Sequence, residues 1–196
     1  VPENPDLVYL VVIDHISLLR PNKGRSLKEE IDLVSSYLVT LRNMCRISPL
    51  VIMQANRDSA GMERRKQGLN NMRLSDTKDS GGPVQDAEVV ISIFSPHRER
   101  LATYNKYNIG ILQDKFRAIT VLKNRYGEAD VEIGVNFFGR CGIWKELPKP
   151  DEIYDYERYT SPNYILEDSD IAIDNSHSLD NDKELDQPKN DFNFIL

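Results

Sequence analysis

The stretch Tyr9 to Leu19, Y-L-V-V-I-D-H-I-S-L-L, opens on five apolar residues and then places one carboxylate, Asp14. An apolar, β-branched-rich run without alternation is the pattern of a parallel strand buried on both faces, because helices cover both sides of such a sheet. In open α/β sheets ligands bind beyond the carboxyl ends of the strands, so Asp14 stands where a phosphate-bound magnesium ion could be held. The alternative on these residues alone is a capping or turn aspartate.

Upstream, V-P-E-N-P-D (Val1 to Asp6) sets two prolines before the strand, an abrupt beginning that points to a segment missing in front of it. Downstream, the loop R-P-N-K-G-R (Arg20 to Arg25) leads to Ser26, with Glu29 three residues on, the capping-box signature of a helix start. Leu27, Ile31, Val34, Leu38, Leu41 and Cys45 then recur at helical spacing. They predict an amphipathic helix of about 20 residues. Ser48-Pro49 is expected to stop it, and Leu50 to Met53 forms a second buried strand that ends on Gln54 and runs on through A-N-R to Arg57. A helical crossover makes these strands a right-handed βαβ unit, so Gln54 shares an edge with Asp14.

Residues 58–82 are polar, partly basic and without periodicity, which predicts long mobile loops. Val89 to Phe94 is a third strand, and residues 95–117 are an excursion or hairpin. Ala118 to Leu122 and Val131 to Phe138, joined through K-N-R-Y-G-E-A-D, predict a β-hairpin at the sheet edge, and a short strand near Ile143-Trp144 closes the domain.

Composition adds bounds. The 196 residues carry a formal charge of −6, divided unevenly: residues 148–196 hold 13 acids and 4 bases, leaving residues 1–147 at +3. A body at +3 permits contact with phosphate without establishing it. The acidic segment from Pro148 onward lacks buried runs and is expected to be a disordered tail. No apolar run approaches the ~18 residues of a membrane span, and the first residues show no basic-then-apolar pattern of a secretory signal. Cys45 and Cys141 have no metal-ligand spacing and read as packing residues in a reducing compartment.

An acid after one strand, a glutamine after the next and a K-N-R tripeptide on a later hairpin together resemble the replicative hexameric helicases of the DnaB-like family, RecA-fold motors that move along single-stranded DNA. The resemblance runs from about Leu7 to Trp144. It implies an α/β fold with a RecA-like, mostly parallel sheet flanked by helices, present in part over residues 1–147, with a β-hairpin at one edge. V-V-I-D (Val11 to Asp14) is similar to the Walker B strand, whose aspartate orients magnesium and its waters beside ATP. His15 follows where the family usually has tyrosine, and as a lone histidine at a strand end it reads as a packing or hydrogen-bonding residue before a metal ligand. Q-A-N-R (Gln54 to Arg57) resembles the next motif, which implies that Gln54 senses the terminal phosphate and that Arg57 belongs to the nucleotide site.

L-S-D-T-K-D-S-G-G-P-V-Q-D-A-E (Leu74 to Glu88) is similar to the family's DNA-gripping loop. By that resemblance Lys78, Asp79, Ser80 and Gly81 hold the DNA backbone, Lys78 by charge and the loop amides by hydrogen bonds that are independent of base sequence. Lys78 stands where the family normally has arginine, and Pro83 also departs from the pattern. K-N-R-Y-G (Lys123 to Gly127) resembles the signature of a trans-acting finger, so Lys123 and Arg125 are expected to reach a neighbour's nucleotide. Alternate strand residues share a face, which lets the two point together.

One motif is absent: no G-x-x-x-x-G-K-[ST] occurs in the sequence. The resemblance therefore implies an upstream segment or second chain that supplies the phosphate loop (Walker A) and the catalytic glutamate. It also implies ATP and Mg²⁺ as cofactors, single-stranded DNA and a hexameric homo-oligomer as partners, a primase or loader as further partners, no membrane, and the cytoplasm of a bacterial cell or phage-infected host. The rival expectations are a recombinase-type RecA-like ATPase and a non-catalytic ring or DNA-binding module.

Overall fold

The computed structural model describes residues 8–55, 71–76 and 81–166. Strand β1 (Tyr9–Ile13) and strand β2 (Ile47–Val51) pair in parallel, with Ile13 opposite Val51, and helix α1 (Leu27–Cys45) makes the crossover between them. The helix starts as its sequence requires. Ser26 Oγ accepts from the Glu29 amide at 3.3 Å, and the Glu29 carboxylate accepts from the Ser26 amide at 2.7 Å. The Ser26 amide first, and then the Ser26 hydroxyl donating to the same carboxylate at 2.8 Å, hold the Glu29 carboxyl below its usual value.

Two details of this unit differ from expectation. The helix ends at Cys45 on a left-handed Arg46 (φ 53°), before Ser48-Pro49, and β2 contains Pro49 instead of following it. Proline lacks a ladder donor, and β2 tolerates it because β1 is its one sheet partner among the described residues. Nor is β1 buried on both faces: Tyr9, Leu10, Val11 and Val12 are all exposed, Leu10 at 60%.

The second sheet is antiparallel throughout, in the order β3 (Val89–Phe94), β6 (Phe116–Asn124), β7 (Val131–Phe138), β8 (Ile143–Glu146). A short helix α2 (Gly82–Asp86) precedes it. The predicted hairpin is β6–β7, but it lies inside the sheet between β3 and β8 and not at the edge, because β3 and β8 each add a strand to one of its sides. The predicted excursion is the two-stranded ribbon β4 (Thr103–Tyr104) and β5 (Tyr107–Asn108) with helix α3 (Ile109–Leu112). The described residues thus hold one parallel pair and three antiparallel pairs in the larger sheet, so parallel pairing is the smaller share. Strand β3, the third strand read from the sequence, pairs antiparallel with β6.

The core lies between this sheet and the ribbon, around Phe116, Ile109, Leu112, Tyr107 and Tyr104. Gly134 on β7 is required by close approach: a Cβ there would stand 2.7 Å from Tyr107 Cζ and 2.9 Å from Phe116 Cε2. The chain after residue 147 does not leave the domain where composition placed the boundary. Ile153 and Tyr164 are buried in the same core; helix α4 (Tyr156–Thr160) lies between them and Tyr164 itself sits on helix α5 (Asn163–Leu166). Tyr107 donates to the Pro148 carbonyl at 3.0 Å and Lys145 to the Tyr164 carbonyl at 2.6 Å. A few aromatic anchors suffice to fix a segment whose average composition is polar. The rest of the expected tail, residues 167–196, lies outside the described residues, as do most of the loops expected at 58–82. Cys141 is exposed, not packed. No described helix is long and apolar enough to cross a membrane.

Candidate functional site

Asp14 and Gln54 leave the parallel pair at the same end. The two backbones stay laced past the strands: the Ile52 amide donates to the Ile13 carbonyl at 2.9 Å, and the Ile16 amide to the Ile52 carbonyl at 3.1 Å. Both side chains are exposed, and neither has a hydrogen-bond or ion-pair partner among the described residues. The capping alternative for Asp14 is not realised, since the following 3₁₀ turn (Ile16–Leu18) starts from His15 without a side-chain cap bond. His15 is half-buried, its Nδ1 is buried without a partner, and the Asp14–His15 peptide is cis. Magnesium typically takes one or two carboxylates, with waters and phosphate oxygens filling the rest. An exposed Asp14 without a partner among the described residues fits that donor set.

Lys123 stands at the far end of β6 and Arg125 just past it, and both turn toward the junction of α2 and β3 within this chain. A bulge between Val90 and Ile91 leaves Leu122 without a register partner there. Lys123 Nζ donates to the Val84 and Gln85 carbonyls at 3.0 and 2.7 Å, closing the carboxyl end of α2. Arg125 Nη1 lies 2.9 Å from Glu88 Oε1. Among the described residues no hydrogen bond or ion pair joins this pair to Asp14 or Gln54.

The long motif is divided. Asp76 is buried and accepts from the Arg73 amide at 2.9 Å, a local role in the turn. Lys78, Asp79 and Ser80 lie outside the described residues, and so does Arg57. Gly81 precedes α2 with φ −81°, a conformation open to any residue, and a Cβ there would meet only Gln85 Nε2 at 3.9 Å. Pro83 does not disturb α2: it occupies the first turn, where its fixed φ suits the helix and its missing amide costs nothing.

Sequence reasoning missed the polar joint behind the hairpin. Ser35 Oγ donates to Asp86 Oδ2 at 2.7 Å, and Arg42 Nη1 reaches Glu88 Oε1 at 2.8 Å, the same oxygen that holds Arg125. Glu88 was visible as the last residue of Q-D-A-E, but nothing in the chain marks Arg42, which sits on the polar side of an amphipathic helix.

A parallel pair ending on an acid and an amide, followed by a hairpin-bearing antiparallel extension, is a partial RecA-like α/β architecture. A solved structure of an ATPase domain superposes with a TM-score of 0.58 at 20% identity, over 74% of this chain and 46% of that one. A second, of a DnaB-like replicative helicase and its interactions with primase, gives 0.58 at 19% identity, over 74% of this chain and 32% of that one. The chain thus spans less than half the length of these relatives. The family model for the DnaB-like helicase C-terminal domain matches residues 3–145, and the chain belongs to that family. No curated protein matches it in sequence.

Proposed function

We propose that this chain is part of an ATP-dependent replicative DNA helicase that moves along single-stranded DNA and separates duplex as a hexameric ring in the cytoplasm. The observation that supports this most is the pair Asp14 and Gln54, exposed and without partners among the described residues at one end of two adjacent parallel strands, in a chain of the DnaB-like family. In this reading Asp14 holds waters of the magnesium ion that accompanies ATP, Gln54 senses the terminal phosphate, and Arg57 lies beside the nucleotide. Bound Mg²⁺ offsets phosphate charge. Arg125 serves the neighbouring subunit's nucleotide. Lys123 does so too once it exchanges the Val84 and Gln85 carbonyls for phosphate oxygens, and Lys78 to Gly81 hold the DNA backbone. An upstream segment or second chain supplies the phosphate loop. A solved neighbour was determined with its primase interactions, so a primase is the first protein partner to test, before a loader.

The test combines this chain with the segment carrying the phosphate loop and measures ATP hydrolysis and unwinding of a forked duplex. Arg125→Ala should bind ATP yet hydrolyse it roughly 10³-fold more slowly, the lower range for fingers in phosphoryl transfer. An unchanged rate removes the finger assignment. Lys78→Ala should weaken single-strand binding alike on all sequences and flatten its salt dependence. Hydrolysis without unwinding would favour a recombinase-type ATPase, and no hydrolysis in any reconstitution a non-catalytic module.

A further inference from the structure

Arg125 is tied to one residue twice. Its amide donates to the Glu88 carbonyl at 2.9 Å, and its Nη1 lies 2.9 Å from Glu88 Oε1. That same Oε1 lies 2.8 Å from Arg42 Nη1, while Glu88 Oε2 is buried and has no partner. The three residues come from three elements: Arg42 from the last turn of α1, Glu88 from the link between α2 and β3, Arg125 from the turn after β6. The anchor is covered and the arginine open, with side-chain exposures of 24% for Glu88, 28% for Arg42 and 47% for Arg125.

The charge count gives this arrangement its meaning. A carboxylate paired with one arginine would cancel the charge that a finger must carry to a phosphate. Two guanidiniums on one carboxylate leave a net positive cluster, so Arg125 is oriented and still attracts an anion. Holding a long side chain in one direction also removes rotamer freedom before the phosphate arrives. We propose that Glu88 is a positioning residue which, with Arg42 as its second cation, fixes the direction of the Arg125 guanidinium without quenching its charge. The proposal rests on the finger reading of Arg125.

The test uses the same assembled ATPase. Glu88→Gln should lower kcat roughly threefold to fivefold, the range that partly exposed pairs support, and leave KM for ATP unchanged. Arg42→Gln should act in the same direction, and Glu88→Asp should restore part of the rate. In an Arg125→Ala background, Glu88→Gln should cost nothing further. An equal loss in that background would mark Glu88 as merely structural and overturn the proposal. A faster Glu88→Gln enzyme would show that Glu88 restrains the arginine, and would overturn it too. If Arg125→Ala slows turnover but Glu88→Gln does not, the positioning role alone fails; if Arg125→Ala changes nothing, the finger reading fails and the proposal with it. Guanidinium NMR on the full chain reads the pairing without hydrolysis. Slow rotation of the Arg125 guanidinium, lost in Glu88→Gln, is expected, and free rotation in the unsubstituted chain overturns the proposal.

Discussion

Leu10 on β1 and Phe116 on β6 are both large apolar residues in strands, yet Leu10 is 60% exposed and Phe116 is fully buried. The difference lies in what covers each sheet. Over β6 and β7 fold the ribbon β4–β5, helix α3 and the segment through Tyr164, which together enclose Phe116. The β1–β2 pair, with α1 as its crossover, keeps much of its apolar surface accessible. Apolar strand character therefore does not by itself stabilise a sheet; a second layer must remove that surface from water. In this chain the antiparallel region holds the main buried cluster, while the parallel pair carries Asp14 and Gln54.

The sharpest way to break this contrast is to hollow out the covered sheet. Phe116→Ala should cost about 3–5 kcal/mol in urea unfolding, the range for a buried aromatic truncated to alanine. A loss under about 1 kcal/mol would mean that the region is not the stabilising one. Gly134→Ala should cost about 1–3 kcal/mol, because the added methyl meets the Tyr107 and Phe116 rings below contact distance. Tyr107 tests the same core through pH. Burial above all, with Tyr156 and carboxylates nearby, pushes its hydroxyl up to about 12. The folded state keeps that proton longer than the unfolded one, so its contribution is full below pH of roughly 10 and fades as pH rises toward the folded value. Tyr107→Phe should flatten that alkaline loss of stability in a pH series. The smallest effect belongs to the open sheet: Leu10→Ser should shift the stability of this chain by no more than about 0.5 kcal/mol. A much larger loss would show that β1 is covered in solution.

Legibility followed sequence distance. The helix start at Ser26, the bounds of β3, the β6–β7 hairpin and the shared edge of Asp14 and Gln54 were all readable, since each depends on spacing, capping or a single crossover. The segment 148–166 was misjudged because Ile153 and Tyr164 are isolated anchors without a period. Pro49 was misjudged because a proline's cost depends on whether its position needs an amide donor.

Sequence alone was enough for the start of α1, the span of β3, the β6–β7 pairing and the family, because capping, periodicity and motif order act over a few residues. The tertiary structure alone decided which strands lie covered, that β3 pairs antiparallel with β6, and that Glu88 meets both Arg42 and Arg125. Glu88 and Arg125 stand 37 residues apart in the chain. No local pattern encodes a charge cluster over that distance; it exists only once the helix end, the strand start and the hairpin have been folded against one another.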